Sequence, residues 1–549
     1  MIPSARWTLS IQIALFLTQT LADIPPNIVF ILADDLGWND VGFHGSNEIP
    51  TPNIDALAFT GVILSNYYVM PICTPSRSAL MTGKHPIHTG MQHTVLFGAE
   101  PRGLPLEEKL LPEYLAELGY TNHMVGKWHL GHYKKEYTPL YRGFQSHIGF
   151  WTGHHDYFDH TAHETGTWGL DMRRGLEVAY DLHGQYSTEI FSREASAIIR
   201  AHNTSTPLFL YLAHAAMHSS NPYSPIPVPD ALAASPIFSH IHDFHRRQYA
   251  IALHELDESV GLVVEALSEK KMLENTIIVF SSDNGGPAAG FNLNAASNWP
   301  LRGVKNTLWE GGVRGAGLIW SSAFENPGRV SSQLMDITDW LPTLVAAANG
   351  TFDSDIDGID GQDVWSSLVS EDDSVNRTLL IHNIDDIYRS AAIRFGQWKL
   401  VKGTNYEGKW DGWYGPSGRN LHHYDIDLIL NSHAGRALKK IHRAPTPEQI
   451  SNLRRESEVV CSHRSSNDSA PCFPLKKPCL FNIEEDPCER YNLAEREPEL
   501  LKDLLDLLRK VNETAVPPGN LPLDPQGLPE RWGYVWTNFG DLITENDVM

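Results

Sequence analysis

The stretch Asn27-Ile28-Val29-Phe30-Ile31-Leu32-Ala33 is a run of β-prone apolar side chains that stops at Asp34-Asp35. A strand with one wet face alternates apolar and polar residues. This one is apolar at every position after Asn27, the pattern of a strand buried on both faces of a parallel sheet. Thr276-Ile277-Ile278-Val279-Phe280-Ser281-Ser282 repeats the design and ends at Asp283-Asn284-Gly285-Gly286. In open α/β sheets, ligands gather beyond the carboxyl ends of the strands. Asp34, Asp35 and Asp283, with the side-chain oxygen of Asn284, make an all-oxygen set suited to Ca2+, with Mg2+ as the alternative. Read singly, Asp-Asp is as good a helix N-cap and Asp-Asn-Gly-Gly a plain turn. The pairing of two strand ends favours the metal.

Outward from these strands, residues 208–212 read as a strand leading to His218, and residues 120–126 as one running into Lys127-Trp128-His129. Residues 317–320 form another, after the loop that holds Lys305. Residues 111–118 have the pattern of a helix, and 244–273 that of one long amphipathic helix. Such alternation predicts an α/β fold, a large sheet flanked by helices. After about residue 385 the alternation stops. Residues 391–401 read as two short strands around Gly396, and 479–483 as a third, which predicts a smaller C-terminal antiparallel-sheet domain. The expected organisation is a signal peptide at 1–22, a catalytic domain at 23–385 and a smaller domain at 386–549. Residues 404–443, rich in Gly, Trp, Tyr and His, read as an irregular surface insertion. The leucine stripe of 498–511 reads as core packing, and the tail from Pro517 as a surface wrap.

The chain has 549 residues, 42% hydrophobic and 20% charged, which excludes general disorder. Its formal net charge of -23 excludes nucleic acid as a natural partner. The 26 histidines would shrink that excess in an acidic compartment. Arg6, an apolar run through Leu17 and Thr20-Leu21-Ala22 form a signal peptide, and no later run reaches the ~20 apolar residues of a membrane span. Sequons at Asn203, Asn349, Asn376, Asn467 and Asn512 agree with the secretory pathway. Cys461, Cys472, Cys479 and Cys488 imply two disulfides, with three pairings open. Cys73 is left over.

Cys73-Thr74-Pro75-Ser76-Arg77, followed by Thr82-Gly83-Lys84-His85, resembles the sulfatase signature. Asp34-Asp35, Gly126-Lys127-Trp128-His129-Leu130-Gly131, Ser282-Asp283-Asn284-Gly285-Gly286 and Asp486-Pro487-Cys488-Glu489-Arg490 occur in the order seen in arylsulfatases. The likeness is strongest to the N-acetylgalactosamine-4-sulfatase branch. Relatives in that branch usually carry cysteines just before the Leu104-Pro105 stretch, and residues 98–105 here contain none, so the disulfide framework differs.

The resemblance implies an alkaline-phosphatase-like fold and hydrolysis of sulfate esters on a sulfated sugar, such as N-acetylgalactosamine 4-sulfate of glycosaminoglycans. It implies that a formylglycine-generating enzyme oxidises Cys73 to formylglycine, whose hydrate supplies the nucleophile and collapses to expel sulfate. Asp34, Asp35, Asp283 and Asn284, with modified Cys73, would hold the cation. Arg77 and Lys127 would stabilise the hydrate, His129 would act as base, and His218 and Lys305 would bind sulfate and assist the leaving alcohol. The location implied is the lysosome or the extracellular space. Two other readings compete: a phosphoesterase of the same superfamily, which Ser or Thr at position 73 would favour, and a catalytically silent secreted carbohydrate-binding protein.

Overall fold

The computed structural model describes residues 25–352, 358–371, 377–419, 423–461 and 471–543. The expected signal peptide and the sequons at Asn376 and Asn467 lie outside the described residues. The large sheet and its hairpins use, in chain order, β1 (Asn27–Ala33), β2 (Val62–Leu64), β3 (Thr121–Lys127), β4 (Ser146–Phe150), β5 (Thr161–Glu164), β6 (Thr167–Leu170), β7 (Arg173–Arg174), β8 (Glu177–Val178), β9 (Leu208–Ala213), β10 (Thr276–Ser282), β11 (Gly317–Ser321) and β12 (Arg329–Ser331). A ten-stranded sheet takes the order β12-β2-β11-β10-β1-β9-β3-β4-β7-β8, and β5 and β6 form a separate hairpin. The centre, β10-β1-β9-β3-β4, is parallel, while β11 runs antiparallel to β10.

Side chains of β1 alternate between two cores, as a twice-buried strand requires. Val29, Ile31 and Ala33 pack into a core under α1 (Pro52–Ala58), while Ile28, Phe30 and Leu32 face a second core under α2 (Cys73–Thr82). The first core is covered by α3 (Ser187–Ala201) and α4 (Phe244–Glu269), the second by α5 (Trp340–Ala347). The long helix stops at Glu269, short of the expected 273, and a separate short turn spans Leu273–Asn275.

The small sheet is antiparallel, with β13 (Leu379–Asp385), β14 (Ser390–Phe395), β15 (Trp398–Lys402) and β16 (Cys479–Asn482) side by side. It therefore starts ahead of the change in texture near residue 385. Gly396, at φ +56°, makes the turn between β14 and β15. The disulfides pair Cys461 with Cys488 and Cys472 with Cys479.

Residues 404–443 are not only a surface insertion. Within them Ile426–Asn431 and α6 (His433–Lys440) are helical, and Ile429, Ala434, Ala437 and Leu438 are buried in the first core against α4. Alanine and glycine let these two short helices approach closely, and neither is long enough to show a helical period in sequence. Helix α7 (Pro498–Asn512) lays Leu504, Leu508 and Val511 on the small sheet, as its stripe requires. The tail does more than wrap: Trp536 and Phe539 are fully buried, and the Trp536 indole N–H donates to the Ala162 carbonyl in β5 at 3.0 Å.

Candidate functional site

The register of the central strands assembles the site. Ala33 lies beside Ser282, and Ala213 beside Gly126, so the residues that follow β1 and β10 leave the sheet together, next to Lys127 at the end of β3. Gly126 holds φ +102°, and a Cβ there would stand 1.9 Å from the Ala213 carbonyl oxygen. Only glycine permits that approach, which delivers Lys127 to the strand end. Cys73 opens α2 after an extended Ile72, so its side chain sits at the electropositive end of a ten-residue helix.

Here the expected groups meet: the acids pair with the cations, Cys73 and Asn284 contact the same acids, and His129 lines the same cavity. The Cys73 Sγ lies 3.7 Å from Asp34 Oδ1. Lys127 Nζ donates to Asp34 Oδ2 at 2.5 Å, Arg77 to Asp283 at 2.8 Å and Lys305 to Asp35 at 2.6 Å. Arg77 also donates to the Lys127 carbonyl. His218 Nε2 faces Asp35 at 3.8 Å, and the Asn284 amide N–H donates to Asp35 at 2.8 Å. Three buried carboxylates are thus matched by three buried cations, which removes the penalty of isolated charges.

Two oxygens in the cluster, Asp35 Oδ2 and Asn284 Oδ1, are buried with no hydrogen-bond partner. Atoms of Asp34, Asp35, Cys73 and His218 lie within 4.8 Å of one another. Unsatisfied hard oxygens beside a balanced ion cluster are what a divalent cation would complete, so the residues fit one. With such an ion the cluster would turn from neutral to positive, the sign an anionic ester needs.

Burial pushes the Cys73 thiol up to about 12, against the pull of Lys127 and Lys305. As a plain cysteine it would be a protonated thiol and a poor nucleophile. Burial, with Lys127 and Arg77, holds His129 well below the usual imidazole range. Its Nε2–H donates to the Leu96 carbonyl at 3.0 Å, which leaves Nδ1 as a free acceptor in the buried pocket. Burial and Lys305 lower His218 in the same direction. Burial pulls Lys305 down, but Asp35, Cys73, Asp34 and Asp283 together outweigh it and the ammonium is held up.

Cys73, His129, His218 and Lys305 open into a cavity of about 410 Å3. Its remaining lining comes from Ile72, from residues 94–97, from Gly153 and His154, from His163, Glu164 and Thr165 on the β5–β6 hairpin, and from Phe291, Asn292, Asn306, Tyr388 and Tyr406. Of residues 404–443, read from sequence as a surface insertion, Tyr406 reaches the cavity. The segments at 94–97, 163–165, 291–292 and 388 were missed. The only signal for them is backbone: Thr94, His129, Thr165, Asn292, Asn306 and Tyr406 all have φ between +49° and +61°. Such strain collects at functional sites, but it does not show in residue type.

The sulfatase family model matches residues 26–351. Mouse (Mus musculus) arylsulfatase J is 40% identical over 535 residues, covering 93% of this chain and 80% of its own length. Human (Homo sapiens) N-acetylgalactosamine-6-sulfatase is 35% identical over 355 residues, covering 61% of this chain and 65% of its own. Among solved structures, Ps i-CgsB in complex with k-i-k-neocarrahexaose superposes with a TM-score of 0.68 at 27% identity, over 90% of this chain and 94% of that one. A strand-end acid cluster facing a buried cysteine and cations, on a fold shared with these proteins, places the chain in the sulfatase family, the sulfuric ester hydrolases.

Proposed function

We propose that the protein hydrolyses the sulfate ester of a sulfated sugar, such as N-acetylgalactosamine 4-sulfate at the end of a glycosaminoglycan, with Cys73 converted to formylglycine. The observation that carries this is the convergence of Cys73 with Asp34, Asp35 and Asp283 and with their three cations at one set of strand ends. The carbohydrate relatives support a sugar as the alcohol.

Asp34, Asp35, Asp283 and Asn284 would hold a divalent cation, Ca2+ or Mg2+, which when bound supplies Lewis-acid polarisation of a sulfate oxygen. Modified Cys73 supplies the hydroxyl nucleophile. Arg77 and Lys127 keep the positive field in place around it, each anchored to an acid. Free His129 Nδ1 takes the proton as the nucleophile is regenerated. Lys305, fixed on Asp35, binds the sulfate and holds its proton. His218 commits Nδ1–H to the Ser219 carbonyl at 2.7 Å, which turns Nε2 toward the cavity, and the doubly protonated ring, favoured once an anionic ester is bound beside it, passes its Nε2 proton to the departing sugar oxygen.

A signal peptide, two disulfides and exposed sequons at Asn203, Asn349 and Asn512 support passage through the secretory pathway to the lysosome or the cell exterior. Mass spectrometry of the peptide that contains Cys73, from enzyme secreted by a eukaryotic host, tests the reading: formylglycine is expected, and an intact thiol in active enzyme refutes it.

A further inference from the structure

The cavity has an aromatic side that the sulfate chemistry does not use. Phe291 and Tyr406 both line it, and their rings meet edge-to-face at 5.4 Å. Beyond the cavity, Phe291 meets Trp410 in the same way at 5.2 Å, with the two planes at 87°. Tyr406 is 44% exposed, a large ring left partly in solvent at the mouth of the cavity.

The shelf is also fixed relative to the chemistry. The Asn306 amide donates to the Tyr406 hydroxyl at 2.7 Å, and the Asn405 amide donates back to the Asn306 carbonyl at 2.7 Å. Asn306 adjoins Lys305, so the ring and the sulfate-binding ammonium hang on neighbouring residues. The Lys409 ammonium lies 5.0 Å above the Trp410 ring, a cation at the outer end of the shelf in a chain of net charge -23.

A rigid ring flanked by amides and a cation matches a pyranose, with its apolar C–H face, hydroxyl edge and, in acidic polysaccharides, an anionic group. We propose that Phe291, Tyr406 and Trp410 form a stacking platform for the sugar linked to the sulfated one, with Lys409 facing an acid group on that unit. The substrate is then the end of an oligosaccharide, and the chain leaves the cavity over residues 406–410. This rests on the reading of the pocket as a sugar sulfatase. Binding energy gathered on the shelf, remote from the reacting sulfur, serves to select and orient longer substrates.

The test compares an aryl sulfate, which fills only the sulfate end, with a trisaccharide ending in N-acetylgalactosamine 4-sulfate. In Trp410→Ala the ratio of trisaccharide to aryl sulfate kcat/KM is expected to fall about fivefold, mainly through KM, as loss of one aromatic contact would give. Trp410→Phe is expected to recover most of it. A ratio within about twofold of wild type in Trp410→Ala overturns the shelf. Wild-type enzyme that cleaves neither compound counts against the sulfatase reading instead. Calorimetric binding of the trisaccharide then decides the shelf: about fivefold weaker binding to Trp410→Ala supports it, and equal binding or none to wild type overturns it.

Discussion

At the floor of the cavity, each charged group leaves the end of a buried strand or the first turns of α2, or, like Lys305, reaches in from a loop, and is held by an opposite charge, as Lys127 is by Asp34 and Arg77 by Asp283. At the rim, His154, Glu164 and Tyr406 come from separate loops and hairpins and are held by hydrogen bonds and ring contacts with no opposite charge among them. The floor is over-determined, because moving one member leaves a buried charge unpaired. The rim can be exchanged piece by piece. Reaction type therefore resides in the sheet, and choice of substrate in the loops around it.

Replacing floor residues should cost most. Cys73→Ala is expected to reduce aryl sulfate hydrolysis by about 10^3-fold or more, while thermal melting stays within about 2 °C, since only one buried sulfur is lost. Retained turnover in that variant would break the division between floor and rim. Asp283→Asn should lower the metal-to-protein ratio measured by elemental analysis, and turnover by about 10^2-fold or more. It should also depress the melting temperature, because Arg77 loses its nearer carboxylate and is left with Asp34 at 3.5 Å.

His218→Asn sharpens the contrast between leaving groups. A sugar alkoxide needs a proton and a nitrocatechol does not, so the loss is expected at about 10^2-fold or more for the sugar sulfate and several-fold less for the aryl sulfate. Equal losses would remove His218 as the donor.

The smallest effects concern pH and stability. Burial holds His214, bonded to Ser259, down to about 3. Below its unfolded value of about 6.5 the unfolded chain takes up a proton that the fold refuses, so this group withdraws stability as pH falls from 6.5. Glu164 runs the other way. Burial raises it to about 7, so its stabilisation is complete below 4.5 and lost as pH rises through 7. Melting curves from pH 5 to 7 should show a pH slope that shifts in opposite directions in His214→Asn and Glu164→Gln, by at most about 1.4 kcal/mol per pH unit each. Parallel slopes would refute both assignments.

The floor was legible because burial on both faces writes itself as an uninterrupted apolar run. Both strands that end in the acids were bounded to the residue, 27–33 and 276–282. Lys127, His129, His218 and Lys305 stood out only once those ends were fixed. The rim was hidden, since Thr94, Thr165 and Asn292 are ordinary loop residues whose meaning lies in a left-handed backbone and a distant neighbour. The disulfide pairing was equally invisible, as four cysteines carry no record of partner. The expectation that histidines would offset the negative charge in acid overlooked burial, which keeps His44, His132, His147 and His214 neutral far below pH 6.

The docking of Trp536 against β5 ties the far end of the polypeptide to the hairpin that presents His163 and Glu164. Arg173 and Thr167 grip the same segment through the Trp536 carbonyl and Glu530. Proteolytic nicking near residue 520 would spare the sheet and its acids yet release one side of the substrate entrance. Such a clipped form would keep cleaving small test compounds while losing its grip on natural ones, so preparations should be checked for integrity before any specificity is assigned.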